Sequence, residues 1–398
     1  MAQNLAPATS TKEPSNWAAL WGSRFKVSSW RQGSQDTGQS RSLDALARPP
    51  RTRYQRNMTR LGFLGAMNRD LVVQQSCAAV LDALQIEAAP LVETPVSEAD
   101  ARRGADFLKG LGAADHLGGS AFNAARVAAM LDKDKELDLA FFGIAGTVEQ
   151  SQPHLSALGG CGFDTTGVEI SPDPPATCLA MVEQAGRTLL TAPGANAAIA
   201  DWMEREQSVL AASIAPCTVI HITSYLDPAT PELIARIIEQ ARILNPALIV
   251  SLDPGMAWIG PGGEGLVHLL AQTDILHLNS EEFARLYGTT GEAASWAGQR
   301  PGRLLVARTH EGVSIYGNSG IVRHYPKLKD MEVKDATGAG DTFCGAFLWS
   351  YCKDMARPKR AAALGFALAR HKVGMAGPLS LTEAARRSFL AQSESEGW

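Results

Sequence analysis

Asp335-Ala-Thr-Gly-Ala-Gly-Asp-Thr-Phe-Cys-Gly-Ala-Phe-Leu348 sets a small-residue turn, an acidic residue and an apolar helix start in one continuous block. Gly338, Ala339 and Gly340 carry almost no side chain, so backbone N–H groups can converge on an anion there. The helix that follows adds the positive end of its dipole. A carboxylate at Asp341 beside such a phosphate cradle costs energy unless it has a chemical task, and the task at hand is taking a proton from an attacking hydroxyl as general base in phosphoryl transfer. Gly-x-Gly-Asp alone also describes a glycine-rich turn followed by an ordinary helix-start Asp. Asp335, Thr337 and the small pair Gly345-Ala346, which thins the next helix turn, favour the chemical reading.

Four further blocks lie outward from this one. Gly62-Phe-Leu-Gly-Ala-Met-Asn-Arg-Asp-Leu-Val-Val73 runs from a strand into Asn68 and Asp70. A carboxylate just past a strand end can accept hydrogen bonds from two neighbouring hydroxyls, as polyol sites do, although Asn-x-Asp also forms turns. In His116-Leu-Gly-Gly-Ser-Ala-Phe-Asn-Ala-Ala-Arg126, Gly118 and Gly119 let backbone approach a ligand and Asn123 offers both a donor and an acceptor; a plain helix N-terminus is the other reading. Asp274-Ile-Leu-His-Leu-Asn-Ser-Glu-Glu282 puts Asn279 and Glu282 three apart at a helix start, the spacing of a capping box and of hard oxygen ligands suited to Mg²⁺. The fourth block is Leu304-Leu-Val-Ala-Arg-Thr-His-Glu-Gly312.

In this order the five blocks resemble the PfkB (ribokinase-like) family of carbohydrate and nucleoside kinases, from about residue 60 to about 385. The resemblance implies an α/β fold with a doubly wound, mostly parallel sheet, helices on both faces, and a small β-sheet lid drawn from about 70–117 and 165–190. It implies Asp341 as catalytic base with the amides of Gly338, Ala339 and Gly340 as anion hole, and Asp70, Asn68, Gly118, Gly119 and Asn123 around the acceptor. Asn279, Glu282, Thr309, Gly312, Gly338 and Gly340 fall to the nucleotide, with Glu282 holding Mg²⁺ through water and ATP as phosphoryl donor. Asp335 and Thr337 match a monovalent-cation site, K⁺ being the ion expected. Thr309 departs from the family pattern, standing where the first Gly of Gly-x-x-Gly is usual, and its β-branch restricts the backbone.

The expected activity is transfer of the γ-phosphoryl group of ATP to a sugar hydroxyl, with a nucleoside kinase of the adenosine type as the alternative. A catalytically silent family member serving as a binding or scaffold subunit is the reading from a different class. There is no G-x-x-x-x-G-K-[ST] loop, no H-R-D or D-F-G element and no G-x-G-x-x-G after a strand, which disfavours P-loop, protein-kinase and Rossmann alternatives. No acidic partner for ribose is evident at His221-Ile-Thr-Ser-Tyr225, and only Arg126 and Arg187 leave room for a phosphorylated sugar.

Bulk properties agree. The 398 residues are 45% apolar, ample for a large core, and apolar runs over 61–65, 139–142, 218–222, 248–252, 275–278 and 304–307 alternate with helical patterns near 121–131, 231–243, 266–272 and 281–287. Such alternation implies parallel strands with ligands at their carboxyl ends. Residues 71–73 and 176–190 fit it less well, and the second reads as a hairpin around Gly186. Residues 1–57 hold nine Lys or Arg against three Asp or Glu, +6 within a formal −4, so the remainder carries −10. That acidic remainder argues against nucleic acid. The first 57 residues lack periodicity and read as a disordered basic extension, with Trp17, Trp21 and Trp30 its aromatic exceptions. The kinase domain is expected over 58–392 and a frayed tail over 393–398, and a chain beginning at Met58 is expected to fold and act like the whole. Six scattered cysteines without a CxxC pair indicate neither zinc nor a disulfide framework. No apolar run reaches the roughly 18 residues of a membrane span, so a cytoplasmic protein is expected, without a membrane partner and with a homodimer through the lid left open.

Overall fold

Each apolar run read as a strand pairs into one sheet in the computed structural model, which describes residues 58–183, 186–309, 311–318, 320–327, 333–375 and 377–395. In chain order the strands are β1 (Thr59–Leu64), β2 (Asn68–Val73), β3 (Glu93–Pro95), β4 (Ala114–Gly118), β5 (Leu137–Ala145), β6 (Asp164–Ile170) and β7 (Ala176–Glu183). They continue as β8 (Gly186–Ala192), β9 (Val219–Thr223), β10 (Ile249–Asp253), β11 (Ile275–Asn279), β12 (Leu304–Thr309), β13 (Gly312–Gly317) and β14 (Gly320–Pro326). Nine form one sheet in the order β14-β13-β12-β11-β10-β9-β1-β5-β6. Pairing is parallel from β12 to β6, and β13 and β14 close the far edge as antiparallel strands. The order reverses beside β1, whose neighbours are β9 and β5, and a crevice opens at the carboxyl ends of strands at such a switch point.

The helices expected near 121–131, 231–243, 266–272 and 281–287 are present as Ser120–Leu131, Thr230–Leu244, Glu264–Gln272 and Ser280–Leu286. Leu61, Phe63, Phe122, Phe141, Phe343 and Phe347 are buried in the core between the sheet and its helices. Each such side chain contributes about 1.5–3 kcal/mol by leaving water. Two buried histidines, on β9 and β11, share one hydroxyl of the strand between them: Ser251 Oγ of β10 lies 3.0 Å from His221 Nδ1 and 3.1 Å from His277 Nε2. Burial holds both rings neutral, His221 with its pKa pushed down to about 4.

The remaining strands form a second sheet in the order β3-β8-β7-β2-β4. Its alternation divides two faces. Leu71, Val73, Leu179, Met181 and Leu190 pack with Val80, Leu84 and Leu108 of the helices Cys77–Leu84 and Glu98–Gly110. The intervening residues Asp70, Val72, Cys178, Ala180, Leu189 and Thr191 line a cavity instead.

Three expected boundaries are corrected. Asn68 and Asp70 do not continue the first strand; Gly65, Ala66 and Met67 separate β1 from β2, and the chain changes sheets there. Residues 164–170 leave the expected lid and become β6, an edge strand hydrogen-bonded to β5. The expected frayed tail begins too early, since the helix Glu383–Ser395 runs on and Ser393 is buried. The described residues, within 58–395, form one compact unit. The expected extension over 1–57, with its three tryptophans, lies outside the described residues.

Candidate active site

Asp70 reaches the crevice because it sits on the cavity face of β2, paired with His116 of β4 and Cys178 of β7. Its side chain is partly covered, but Oδ1 is buried with no hydrogen-bond partner among the described residues. Burial pushes the carboxyl up to about 7; the charge of Arg187 opposes this and those of Asp341 and Glu93 add to it. Gly118 ends β4 against this carboxylate, where a Cβ would come within 2.0 Å of Asp70 Oδ2. Gly119 adopts φ +104°, and a Cβ there would lie 2.1 Å from the Ala66 carbonyl oxygen. Neighbouring Asn68 is fixed twice: its carbonyl lies 2.9 Å from His154 Nε2, and its Oδ1 accepts from Asn196 Nδ2 at 3.4 Å.

Asp341 comes from the other side. Gly338, at φ +72°, holds a left-handed conformation that favours glycine, and it caps the helix Ala339–Lys353. Gly345 lets that helix press on Ser120–Leu131, where a Cβ would meet the Ala124 carbonyl oxygen at 2.2 Å. The close crossing brings Asn123 Nδ2 within 2.9 Å of Asp341 Oδ2. Burial raises the Asp341 pKa; the Asn123 hydrogen bond opposes the shift, the charge of Asp253 adds to it, and those of Arg187 and Arg308 oppose it. The first backbone bond of the helix runs from Thr342 N to Gly338 O at 2.8 Å, so the amides of Ala339, Gly340 and Asp341 precede the ladder. Ala339 N turns back to Ala336 O at 3.2 Å. Of the three amides expected as an anion hole, that of Ala339 is thus engaged, while those of Gly338 and Gly340, and next to them that of Asp341, make no hydrogen bond among the described residues.

Asn68, Asp70, Gly119, Asn123, Gly338 and Asp341 line one cavity of about 360 Å³. Asn279, Glu282, Thr309, Ala339, Gly340 and Asp341 line a second of about 840 Å³. Gly338 and Asp341 belong to both. Gly118 and Gly312 line neither, acting one layer behind: Gly312, at φ +135°, leaves room for the Tyr325 carbonyl oxygen.

On the 840 Å³ side Asn279, Glu282 and Thr309 are paired with neighbouring groups. Asn279 Oδ1 accepts from the amides of Glu281 at 2.9 Å and Glu282 at 3.0 Å, while Glu282 Oε2 accepts from Asn279 N at 2.7 Å, a complete capping box. Glu282 is buried and its pKa is pushed up to about 7, first by that burial and then by Asp253, with Arg308 and the Asn279 amide pulling the other way. A buried Glu282 carboxylate with the charge of Asp253 nearby is oxygen chemistry that a divalent cation would neutralise. Thr309 Oγ1 accepts from Glu311 N at 3.2 Å and donates to Gly312 O at 3.4 Å.

The expected K⁺ ligands are differently engaged. Asp335 Oδ1 accepts from Thr337 N at 2.8 Å, and the buried Lys372 ammonium donates to Asp335 O at 2.9 Å and Oδ2 at 3.1 Å. Asp335 and Thr337 thus form a turn closed by a lysine and do not fit a free monovalent cation.

The profile of the pfkB family carbohydrate kinases matches residues 100–384. The chain belongs to the PfkB family. It is 26% identical over 219 residues to an uncharacterized sugar kinase of Archaeoglobus fulgidus, 54% of this chain and 84% of that protein. To the adenosine kinase of Dictyostelium discoideum it is 23% identical over 250 residues, 59% of this chain and 72% of that protein. Its fold is similar to that of adenosine kinase from Sinorhizobium meliloti, with a TM-score of 0.67 at 20% identity over 84% of this chain and 99% of that one. Ribokinase from Giardia lamblia gives 0.62 at 18% over 84% and 99%. As a PfkB protein the chain is a phosphotransferase with an alcohol group as acceptor, and the family implies ATP as donor.

Within this PfkB site several residues escaped the sequence reading. Arg308 donates from Nη1 to Gly340 O at 3.0 Å and from Nη2 to Asp253 Oδ2 at 2.8 Å, tying the start of the helix that carries Asp341 to the end of β10. Asp227 lines the smaller cavity two residues beyond the stretch searched for an acidic partner, and caps the helix Thr230–Leu244 through Ala229 N and Thr230 N. A carboxylate close behind the carboxyl end of a predicted strand is the signal that would have found both Asp253 and Asp227. Among the described residues no helix is long and apolar enough to cross a membrane.

Proposed function

We propose that the chain transfers the γ-phosphoryl group of ATP to a hydroxyl of a sugar held in the 360 Å³ cavity. The observation that carries this reading is the position of Asp341, shared by both cavities and oriented by Asn123 at 2.9 Å. Asp341 takes the hydroxyl proton as general base, and a pKa raised by burial brings it nearer the pH at which it must work. Asp70 accepts two acceptor hydroxyls from the opposite wall, with Asn68, Gly119 and Asn123 completing the pocket. The amides at the helix start, with the helix dipole behind them, stabilise charge on the transferring group. Glu282, with Asn279 beside it, would hold Mg²⁺, which would supply charge neutralisation at the phosphates. The second sheet serves as a lid over the acceptor, and a homodimer through that lid is part of the same reading.

A nucleoside acceptor is the second reading. Adenosine kinases stand among the relatives in both sequence and fold. In addition, a cavity of about 420 Å³ with apolar walls from Val72, Leu117, Val127 and Met130 adjoins the acceptor cavity at Asp70 and Asn123, room that an aromatic base would use. A screen of free sugars and nucleosides with ATP and Mg²⁺, read as ADP release and product mass, tests both. Phosphorylation of a sugar or nucleoside is expected; ADP release unlinked to any such product would contradict the assignment.

A further inference from the structure

The turn that leads into the anion cradle is fastened to the end of the helix Pro358–Val373. Lys372, 2% exposed, donates to the backbone carbonyl of Asp335 at 2.9 Å and to its Oδ2 at 3.1 Å. The amides of Lys334 and Asp335 donate to Val373 O at 2.8 and 3.2 Å. Gly377 N adds a bond to Asp335 Oδ2 at 3.2 Å, and Thr337 N takes Oδ1. A main-chain carbonyl oxygen and a carboxylate oxygen that converge on one point are donors of the kind an alkali cation takes. The point of convergence is filled by an ammonium carrying the same single charge and three N–H donors. The ammonium also sits at the negative end of its own helix, where a cation is favoured.

We infer that Lys372 is a tethered replacement for the monovalent cation at the Asp335–Thr337 turn, so that the cradle is set without K⁺. A free ion stabilises a site only to the extent that its concentration exceeds its dissociation constant, whereas a lysine is always present. Lys372 lines the cavity that contains Thr337 and Gly338 but is not placed on the reacting atoms; it is a positioning residue. Its catalytic consequence rests on the kinase reading, while the absence of a cation requirement for folding does not.

The test compares the full chain in KCl and in choline chloride at equal ionic strength. For the unaltered protein the two melting temperatures should agree within about 1 °C, since nothing binds K⁺ specifically. Lys372→Met should melt several degrees higher in KCl than in choline chloride, because K⁺ can now enter the vacated oxygens. With an acceptor in hand, the same variant should lose roughly tenfold or more in kcat in choline chloride and recover it in KCl at unchanged acceptor KM. A merely structural lysine would give no such ionic rescue. Failure to phosphorylate any acceptor would strike the kinase reading and leave the melting comparison to decide this one. Should Lys372→Met not fold, the unaltered protein decides: a K⁺-specific rise in its melting temperature overturns the inference. Equal kcat for a folded Lys372→Met in both salts overturns it as well.

Discussion

On the acceptor side of Asp341 a buried carboxylate oxygen stands without a partner, while on the nucleotide side the carboxylates are paired and only Thr223 Oγ1 and Arg308 Nε lack one among the described residues. Asp70 Oδ1, Asn196 Oδ1 and Tyr225 OH lack a hydrogen bond among the described residues, and all three residues line the smaller cavity. Across Asp341, Asn279 is paired with Glu282, Arg308 with Asp253 and Thr309 with Gly312. An unpaired buried polar atom costs about 1–3 kcal/mol. The acceptor wall therefore carries a cost that hydroxyls of the right geometry remove, and this makes recognition sensitive to each hydroxyl. On the nucleotide wall the unpartnered buried atoms are Thr223 Oγ1 and Arg308 Nε, while the carboxylates of Glu282 and Asp253 are paired, so binding there falls to backbone amides, the helix dipole and charge.

The strongest way to break this contrast is to unpair the nucleotide wall. Arg308→Met leaves Asp253 largely buried without its cation, which should cost about 3–5 kcal/mol and lower the melting temperature on the order of 10 °C. An unchanged melting curve would show that the wall does not depend on internal pairing. On the opposite wall, Asp70→Ala should weaken acceptor binding roughly tenfold to a hundredfold and leave ATP binding unaltered. Titration calorimetry with each ligand separates the two effects, and equal losses would dissolve the distinction between the walls.

The pH dependence sharpens the contrast further. The Asp70 carboxyl is raised to about 7, and only its ionised form accepts two hydroxyls, so acceptor binding releases a proton below that pH. The acceptor dissociation constant should fall about tenfold per unit as pH rises toward 7 and level off above it. Asp70→Asn should flatten that limb; a slope that survives the substitution would assign the titration to another group. The smallest effect is expected from residues 1–57. A protein beginning at Met58 should melt within about 2 °C of the full chain with kcat/KM unchanged within about twofold, and a larger loss would place part of the site's support in that segment.

The same contrast explains what could be read from the chain beforehand. β9, β10, β11 and β12 are buried on both faces, so each appears as a short apolar run between helical patterns. β2 has one face toward a polar cavity and opens with Asn68, Arg69 and Asp70, which reads as a turn. The carboxylate there stands out in the chain, but the strand does not. Asp341, Gly338 and Gly340 stand out in the chain because they are local, contained within one helix start. Arg308 and Lys372 do not, because the groups they hold lie 32 to 55 residues away in the chain. A lysine in the last turn of a helix otherwise looks like ordinary complementation of the helix dipole.

The central claim is that Asp341 joins the two walls by moving the acceptor proton. Single-turnover phosphoryl transfer from ATP by Asp341→Asn, measured beside its ATP affinity and melting temperature, tests it most directly. Transfer should fall by roughly 10²–10⁴-fold with ATP binding and fold retained. A folded Asp341→Asn protein that still transfers phosphate at a substantial fraction of the original rate would contradict the assignment.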